Sequence, residues 1–210
     1  MKKTLIKICG LRRAKDAELI NPYPEIAYAG LVFADSRRKI DIKTALEIKS
    51  ALRDDIKTAA VFADNSLEEI RSVVAEVKPD IIQLHSDEDN EFILALGGKV
   101  WKSVSIKDRK SIEKIADFTA ADGIVLDTYS PLERGGTGKA FDRTLLKGLN
   151  YNGMLILAGG INKDNINQSI RELKPDVIDL SSSVETEGYK DGLKIKELIE
   201  EFRKGDRNGA

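Results

Sequence analysis

The feature that most constrains this chain is a regular alternation of strand-like and helix-like segments along its whole length. Eight short apolar runs, rich in β-branched residues, are each followed by a stretch with helical spacing. The runs cover residues 5–11, 26–33, 58–62, 80–85, 100–106, 123–128, 154–159 and 177–183. Strand–helix alternation predicts a parallel sheet with helical crossovers. Eight such units fit a closed, single-domain (β/α)8 barrel, the TIM-barrel fold of the α/β class.

The predicted helices cover residues 12–20, 41–52, 67–77, 88–96, 107–116, 141–149, 163–173 and 192–202. An open doubly wound sheet is the alternative, but it would normally have fewer strands and a nucleotide-binding fingerprint. The glycine-rich loop Gly135–Gly138 lacks both common fingerprints, because Phe141 replaces the last glycine of G-x-G-x-x-G and Ala140 replaces the Ser or Thr of a P-loop. We expect the barrel to span residues 1–204 and the polar segment 205–210 to be frayed.

Composition argues against several classes of function. The 34 Lys and Arg residues are balanced by 35 Asp and Glu residues, so no basic excess suggests a nucleic-acid partner. A single cysteine forms no internal disulfide and fits a reducing compartment. The first residues lack the apolar segment of a signal peptide, and no apolar run approaches the ~20 residues of a membrane span. We therefore expect a cytoplasmic protein that binds neither nucleic acid nor membranes.

The first apolar run ends in the only cysteine of the chain, where the chain turns towards a helix. Side chains alternate across a strand, so Lys7 and Cys9 share one face while Ile6 and Ile8 share the other. A lone cysteine in an apolar strand is most often an inert small hydrophobic residue. A chemical role for Cys9 therefore depends on which residues accompany it.

Polar residues and glycines also stand at the ends of the other predicted strands, where the active sites of (β/α)8 barrels lie. They are Arg38, Gln83, His85, Asp127, Gly159, Gly160, Ser181, Ser182 and Ser183. Each has an ordinary structural explanation, since a strand-end Asp often caps the next helix and a run of basic residues is often a solvated surface. Their convergence on one rim favours a functional site.

The residues that follow the seventh and eighth runs predict an anion site. Glycines such as Gly159 and Gly160 let backbone N–H groups approach an anion closely, and helix N-termini favour negative charge. Loops at this place in the fold commonly hold a phosphate group. The predicted ligand is therefore a phosphorylated small molecule.

Short motifs in a fixed order carry a family resemblance over the full length. The matching residues are Lys7–Gly10, Gly30–Phe33 with Ser36–Arg38, Gln83–His85, Leu126–Thr128, Gly135–Lys139 with Phe141 and Asp142, Leu157–Gly160, and Asp179–Glu185 with Gly188, Lys190 and Asp191. This set resembles the motifs of the phosphoribosylanthranilate isomerase family of tryptophan biosynthesis. The resemblance implies an Amadori rearrangement of N-(5-phosphoribosyl)anthranilate, an aminoaldose, to an aminoketose.

The resemblance also implies roles for individual residues. Cys9 would be the general base, Asp127 the general acid, and Arg38 the partner of the anthranilate carboxylate. The remaining substrate-binding residues would be Gln83, His85, Gly136, Gly138, Gly159, Gly160, Ser181, Ser182 and Ser183. No cofactor or metal is implied, and the expected state is a monomer or homodimer. Cys9 would need to be substantially ionised, which calls for a cationic environment.

Three residues depart from the family pattern: Ser86 and Ser183 replace glycines, and Arg143 replaces a tryptophan. A serine at position 183 would be strained if the backbone there has a positive φ. Two alternatives stay open. A related barrel isomerase of histidine biosynthesis acts on a similar aminoaldose, but it carries aspartate where Cys9 stands. A catalytically silent barrel that only binds a phosphorylated metabolite is the other.

Closure of the barrel carries one further prediction. The first and last strands are neighbours in a closed barrel, so Lys7 should meet Asp179 inside it. We expect a buried ion pair that positions the first strand and places a positive charge near the thiol.

Overall fold

A computed structural model describes residues 3–128, 151 and 153–207. Eight parallel strands form a closed barrel in chain order, and the last strand pairs with the first. The strands are β1 Leu5–Cys9, β2 Ile26–Val32, β3 Lys57–Phe62, β4 Ile81–Leu84, β5 Val100–Ile106, β6 Gly123–Thr128, β7 Met154–Leu157 and β8 Val177–Leu180. The predicted (β/α)8 barrel is confirmed, and the open doubly wound sheet is wrong.

Helices follow the strands on the outside of the barrel. In the described part of the chain they are α1 Ala14–Ile20, α2 Ile42–Ala51, α3 Leu67–Val77, α4 Asn90–Leu96, α5 Arg109–Glu113 with a 3-10 turn Lys114–Asp117, α6 Ile166–Leu173 and α7 Gly192–Arg207. The predicted helix 141–149 and the loop Gly135–Gly138 lie outside the described residues. A 3-10 turn, Ser182–Val184, and a two-stranded hairpin, β9 Glu185–Thr186 and β10 Tyr189–Lys190, follow β8.

Local capping explains where several helices begin. The side chains of Asp41, Ser66, Asp89 and Asp108 accept hydrogen bonds from backbone N–H groups three residues later. Such caps are worth about 1 kcal/mol each, because they satisfy N–H groups that have no partner within the helix. All four caps follow strand ends, so they also fix where the loops at the barrel mouth stop.

The last helix extends further than the sequence pattern predicted. It continues to Arg207, whereas the spacing predicted a helix that ends at residue 202. Two contacts hold the helix end. Arg203 donates from Nε and Nη2 to the two carboxylate oxygens of Glu25, at 2.7 and 3.1 Å. The Asn167 amide on α6 donates to the carbonyl of Glu201 at 2.8 Å.

The alternation along β1 separates two environments. Ile6 and Ile8 are fully buried in the core between the barrel and its helices, and each contributes about 1.5–3 kcal/mol by burial. The lower barrel interior is a second cluster, in which the rings of Tyr28 and Trp101 meet edge to face with centroids 4.9 Å apart.

Within the described ranges, no helix has the length and apolar character needed to cross a membrane.

Candidate active site

Cys9 lies at the C-terminal end of β1, at the barrel mouth, and is half-buried. Its register partner on β2 is Gly30. A Cβ atom on Gly30 would stand 2.7 Å from the Cys9 Sγ and 2.9 Å from its Cα, closer than non-bonded atoms can approach. The absence of a side chain at position 30 therefore makes the space that the thiol occupies.

The predicted ion pair below Cys9 is confirmed. Lys7 and Asp179 are register partners on β1 and β8, and the Lys7 Nζ lies 2.7 Å from Oδ2 of Asp179. The Lys7 side chain is fully buried and that of Asp179 is nearly so. Burial acts to lower the pKa of Lys7, but the charges of Asp179 and Cys9 together outweigh it and raise that pKa above its ordinary value. Lys7 is therefore a permanent cation at neutral pH.

The pKa of the Cys9 thiol is shifted upward, which is opposite to the direction that a base role favours. Burial raises the pKa of the thiol, and Asp179 adds to this effect. The positive charges of Lys7 and Lys190 act in the opposite direction without reversing it, so the net shift of the pKa is upward. The cationic environment that the sequence called for is present, but desolvation of the thiolate is the larger effect.

Asp127 is the last residue but one of β6 and is half-buried. It pairs in register with Ser105 on β5, and Val125, two residues earlier on the same face, belongs to the interior cluster. Its side chain therefore faces the barrel mouth, as does that of Cys9. Two strands, β7 and β8, lie between β6 and β1 around the barrel. The Asp127 carboxyl group and the Cys9 thiol therefore stand on different sides of the same barrel mouth.

Gln83 and His85 stand at the end of β4 and share the interior face. Gln83 is fully buried, whereas His85 is exposed at the mouth. Their Nε2 atoms lie 2.6 Å apart, so the Gln83 amide N–H donates a hydrogen bond to the ring nitrogen of His85. Partial loss of hydration at the barrel mouth, together with the positive charges of Lys7 and Lys102, lowers the pKa of His85. The ring is neutral and can donate through Nδ1.

Arg38 lies across the end of β1 and already has a carboxylate partner. Its Nε and Nη2 donate to the two oxygens of Glu185, each at 2.8 Å. Gly10 has a φ of 82°, and a Cβ atom there would stand 2.4 Å from the Arg38 Cδ. Burial acts to raise the pKa of Glu185, but Arg38 and Lys190 lower it to about 2. Sequence reasoning placed Glu185 and Lys190 in a motif without giving either a role.

The loops after β7 and β8 enclose a cavity of about 330 Å³. Gly160, Ser182 and Ser183 line it, as do Asn162 and Lys194. Gly159 and Gly160 have φ values of 78° and 65°, a conformation that favours glycine. Of the predicted phosphate-binding residues, Gly159 and Ser181 are not in the lining; the Ser181 hydroxyl donates instead to the Cys9 carbonyl at 3.1 Å.

The departures from the family pattern have local explanations. Ser183 sits in a 3-10 turn and is not among the described residues with positive φ, so the expected strain is absent. Its Oγ is buried and has no hydrogen-bond partner among the described residues. The Ser86 Oγ accepts a hydrogen bond from the Asp64 backbone N–H at 2.8 Å and so joins two rim loops. Gly136, Gly138 and Arg143 lie outside the described residues.

Fold and site together define a class of protein: a (β/α)8 barrel with a thiol, a carboxylate and a cavity between the loops after β7 and β8 at its C-terminal mouth. A family model for N-(5'-phosphoribosyl)anthranilate (PRA) isomerase matches residues 6–201. The chain belongs to this family of isomerases, and the predicted membership is confirmed.

Individual relatives agree over nearly their whole length. The N-(5'-phosphoribosyl)anthranilate isomerase of Clostridium acetobutylicum is 43% identical over 203 residues, which are 95% of this chain and 98% of that protein. The crystal structure of the Thermotoga maritima phosphoribosyl anthranilate isomerase has a TM-score of 0.86 at 30% identity and covers 96% of this chain and all of that one. A further structure of such an isomerase, at 27% identity and a TM-score of 0.83, contains reduced 1-(o-carboxyphenylamino)-1-deoxyribulose 5-phosphate; it covers 96% of this chain and all of that one.

Proposed function

We propose that this chain catalyses the Amadori rearrangement of N-(5-phosphoribosyl)anthranilate to 1-(2-carboxyphenylamino)-1-deoxyribulose 5-phosphate, a step of L-tryptophan biosynthesis in the cytoplasm. The observation that carries the proposal is the placement of Cys9 and Asp127 on the interior face at one mouth of a barrel of this family. A proton acceptor and a proton donor that flank one opening are what an aldose–ketose isomerisation requires.

The proposed chemistry proceeds in two steps. Asp127 gives a proton to the furanose ring oxygen, the bond from C1 to that oxygen breaks, and an imine forms between C1 and the anthranilate nitrogen. The Cys9 thiolate then removes the proton from C2, which yields an enolamine. Tautomerisation of the enolamine returns a proton to C1 and leaves a ketone at C2, so the reaction needs no external oxidant or reductant.

Binding groups surround this centre on two sides. The phosphate would occupy the cavity between the β7 and β8 loops, where Gly160, Ser182 and Ser183 face it. The anthranilate carboxylate would approach Arg38, whose guanidinium is held in a fixed orientation by Glu185; planar forks suit carboxylates. Gln83 and His85 would line the wall opposite. Gly136 and Gly138 stay predicted contacts, and a monomer or homodimer stays the predicted assembly.

The test of this function is the loss of the fluorescent substrate, generated in situ from anthranilate. Turnover of the anthranilate aminoaldose, with no turnover of the aminoaldose of histidine biosynthesis, is the expected result. Turnover of the second substrate alone would move the assignment to the histidine-pathway type. Tight binding of a product analogue without any turnover, in a chain that is folded by circular dichroism, would leave a silent binding barrel.

The raised pKa of Cys9 predicts the pH dependence of its thiol reactivity. Iodoacetamide reacts with the thiolate only, so the rate of alkylation should rise by about tenfold per pH unit while the thiol is mostly protonated. Because the folded-state pKa is shifted upward, this rise should continue beyond about pH 8.5, the ordinary value for a thiol. The alkylation rate is the readout because turnover also requires a protonated Asp127, and the protonated fraction of a carboxyl group falls as the pH rises. A plateau of the alkylation rate that begins below neutral pH would contradict the raised pKa of the thiol.

The unpartnered hydroxyl of Ser183 predicts a contribution to phosphate binding. Replacing Ser183 with glycine, the family's usual residue, should raise the inhibition constant for inorganic phosphate about 2–10-fold, because one neutral hydrogen bond is worth about 0.5–1.5 kcal/mol. Anthranilate carries no phosphate and should bind both proteins equally, which makes it the internal control. Equal phosphate inhibition of the two proteins would show that this hydroxyl does not face the phosphate.

A further inference from the structure

The hairpin that follows β8 reaches back over the end of β1. Lys190, on its second strand, is only 3% exposed. The Lys190 Nζ donates to the carbonyl of Cys9 at 2.5 Å, to the carbonyl of Ser181 at 3.3 Å and to Oε1 of Glu185 at 2.6 Å. A buried ammonium therefore lies directly against the main chain of the residue that carries the thiol. A backbone carbonyl does not need a cation as its partner, so this arrangement calls for an explanation beyond hydrogen-bond satisfaction.

The charges that face the Cys9 thiol come from three strands: Lys7 from β1, Asp179 from β8 and Lys190 from β10. Lys7 and Asp179 form a pair of their own at 2.7 Å. Lys190 is different, because the carboxylate of its partner Glu185 is also bound through both oxygens by Arg38. Two cations thus share one carboxylate beside the end of β1.

The same carboxylate connects two parts of the proposed site. Glu185 Oε1 accepts from both the Arg38 Nε and the Lys190 Nζ. Arg38 also lies against Gly10, the residue after Cys9. The guanidinium proposed to hold the substrate carboxylate and the thiol proposed to take the proton are therefore joined through one buried carboxylate and one ammonium.

We propose that Lys190 is a positioning residue for the general base: it holds the Cys9 main chain in place, favours the ionised thiol, and is joined by Glu185 to the Arg38 anchor. This inference rests on the proposed function for the roles of Cys9 and Arg38. The proposed substrate would then meet its carboxylate anchor and its base in a fixed relative position, set by residues that touch neither the sugar nor the aromatic ring.

Cys9 is the only cysteine of the chain, so its ionisation can be followed without turnover, by the ultraviolet absorbance of the thiolate and by the rate of alkylation with iodoacetamide. Lys190→Met removes the charge and keeps a chain of similar length, while Glu185 retains Arg38 as its partner. We expect the thiol pKa to rise by about one unit and alkylation at neutral pH to slow about tenfold. With substrate, kcat should fall by a similar factor and KM should change much less.

Lys190→Arg is the charge-retaining variant. It keeps a cation on β10, so the thiol titration and the alkylation rate of Cys9 should stay close to the native values. Tyr189→Leu is the matched control: it removes the ring against which Arg12 and Arg13 stack, at 4.8 and 4.3 Å, and so loosens the same hairpin without changing charge. The thiol titration of this control should stay at the native value.

An unchanged thiol titration in a folded Lys190→Met protein would overturn the inference, as would a Tyr189→Leu shift of equal size. If Lys190→Met does not fold, Lys190→Gln is the second variant, and a native thiol titration in that variant would overturn the inference. Failure of the proposed function is seen separately, as absent turnover by the native chain, because none of the thiol titrations requires substrate.

Discussion

Replacing Cys9 with alanine is expected to lower kcat by about 10²–10⁴-fold, the range over which a positioned proton-transfer group contributes. Alanine removes only the sulfur atom of a half-buried residue, so the barrel should remain folded. Asp127→Asn should have an effect of similar size, since the amide keeps the shape of the side chain and cannot protonate the ring oxygen. Loss of substrate fluorescence measures kcat, and circular dichroism verifies the fold.

Ser105→Ala is the matched control for both variants. Ser105 is the register partner of Asp127 on β5, and it has no part in the proposed chemistry, so its removal should leave turnover nearly native. Turnover at the native rate in either Cys9→Ala or Asp127→Asn would remove that residue from the mechanism. The remaining fold and binding groups would then need another proton-transfer residue at the same rim.

Replacing Lys7 with methionine is expected to lower the free energy of unfolding by about 3–5 kcal/mol, because it leaves the Asp179 carboxylate buried without its partner. The same change removes a positive charge that lowers the thiol pKa of Cys9, so that pKa should rise further. Urea denaturation at neutral pH gives the first quantity, and the thiolate absorbance gives the second.

The double variant Lys7→Met with Asp179→Leu separates the two effects. With no buried charge left, most of the lost stability should return, while the thiol pKa should stay above the native value, because the positive charge of Lys7 is still missing and burial of the thiol is unchanged. If Lys7→Met alone changes neither stability nor the thiol titration, the ion pair supports neither the fold nor the base.

The overall fold could be predicted because its signal is repeated. Each strand of the barrel is a short run of β-branched residues, and the same spacing recurs eight times, so a single ambiguous run such as 154–159 does not change the result. The end of α7 could not be predicted from periodicity, because Arg203 is a polar residue whose partner, Glu25, lies at the opposite end of the chain.

The candidate site divides in a similar way. Strand ends mark positions such as Cys9 and Asp127, because in a closed parallel barrel every strand ends at the same mouth. The Lys7–Asp179 pair followed from closure alone. The direction of the Cys9 pKa shift could not be predicted in the same way. The sequence predicted positive charges near Cys9, and these charges are present. The opposing cost of burying a thiolate depends on how tightly the surrounding side chains pack, which the sequence does not give. The shared use of Glu185 by Arg38 and Lys190 also depends on a hairpin whose direction no local pattern encodes.

The seam between β1 and β8 has a consequence for how the protein acquires activity. Lys7 and Asp179 are 172 positions apart, and Cys9 and Lys190 are 181 positions apart. Contacts this distant in sequence form late, since nearly the whole chain must be ordered before its ends can meet. The environment of the thiol is thus completed by the last strand and hairpin to be synthesised. A ribosome-bound chain that stops short of residue 177 would carry Cys9 on an unpaired edge, with an ordinary thiol reactivity, and the appearance of the shifted titration would mark the moment at which the barrel closes.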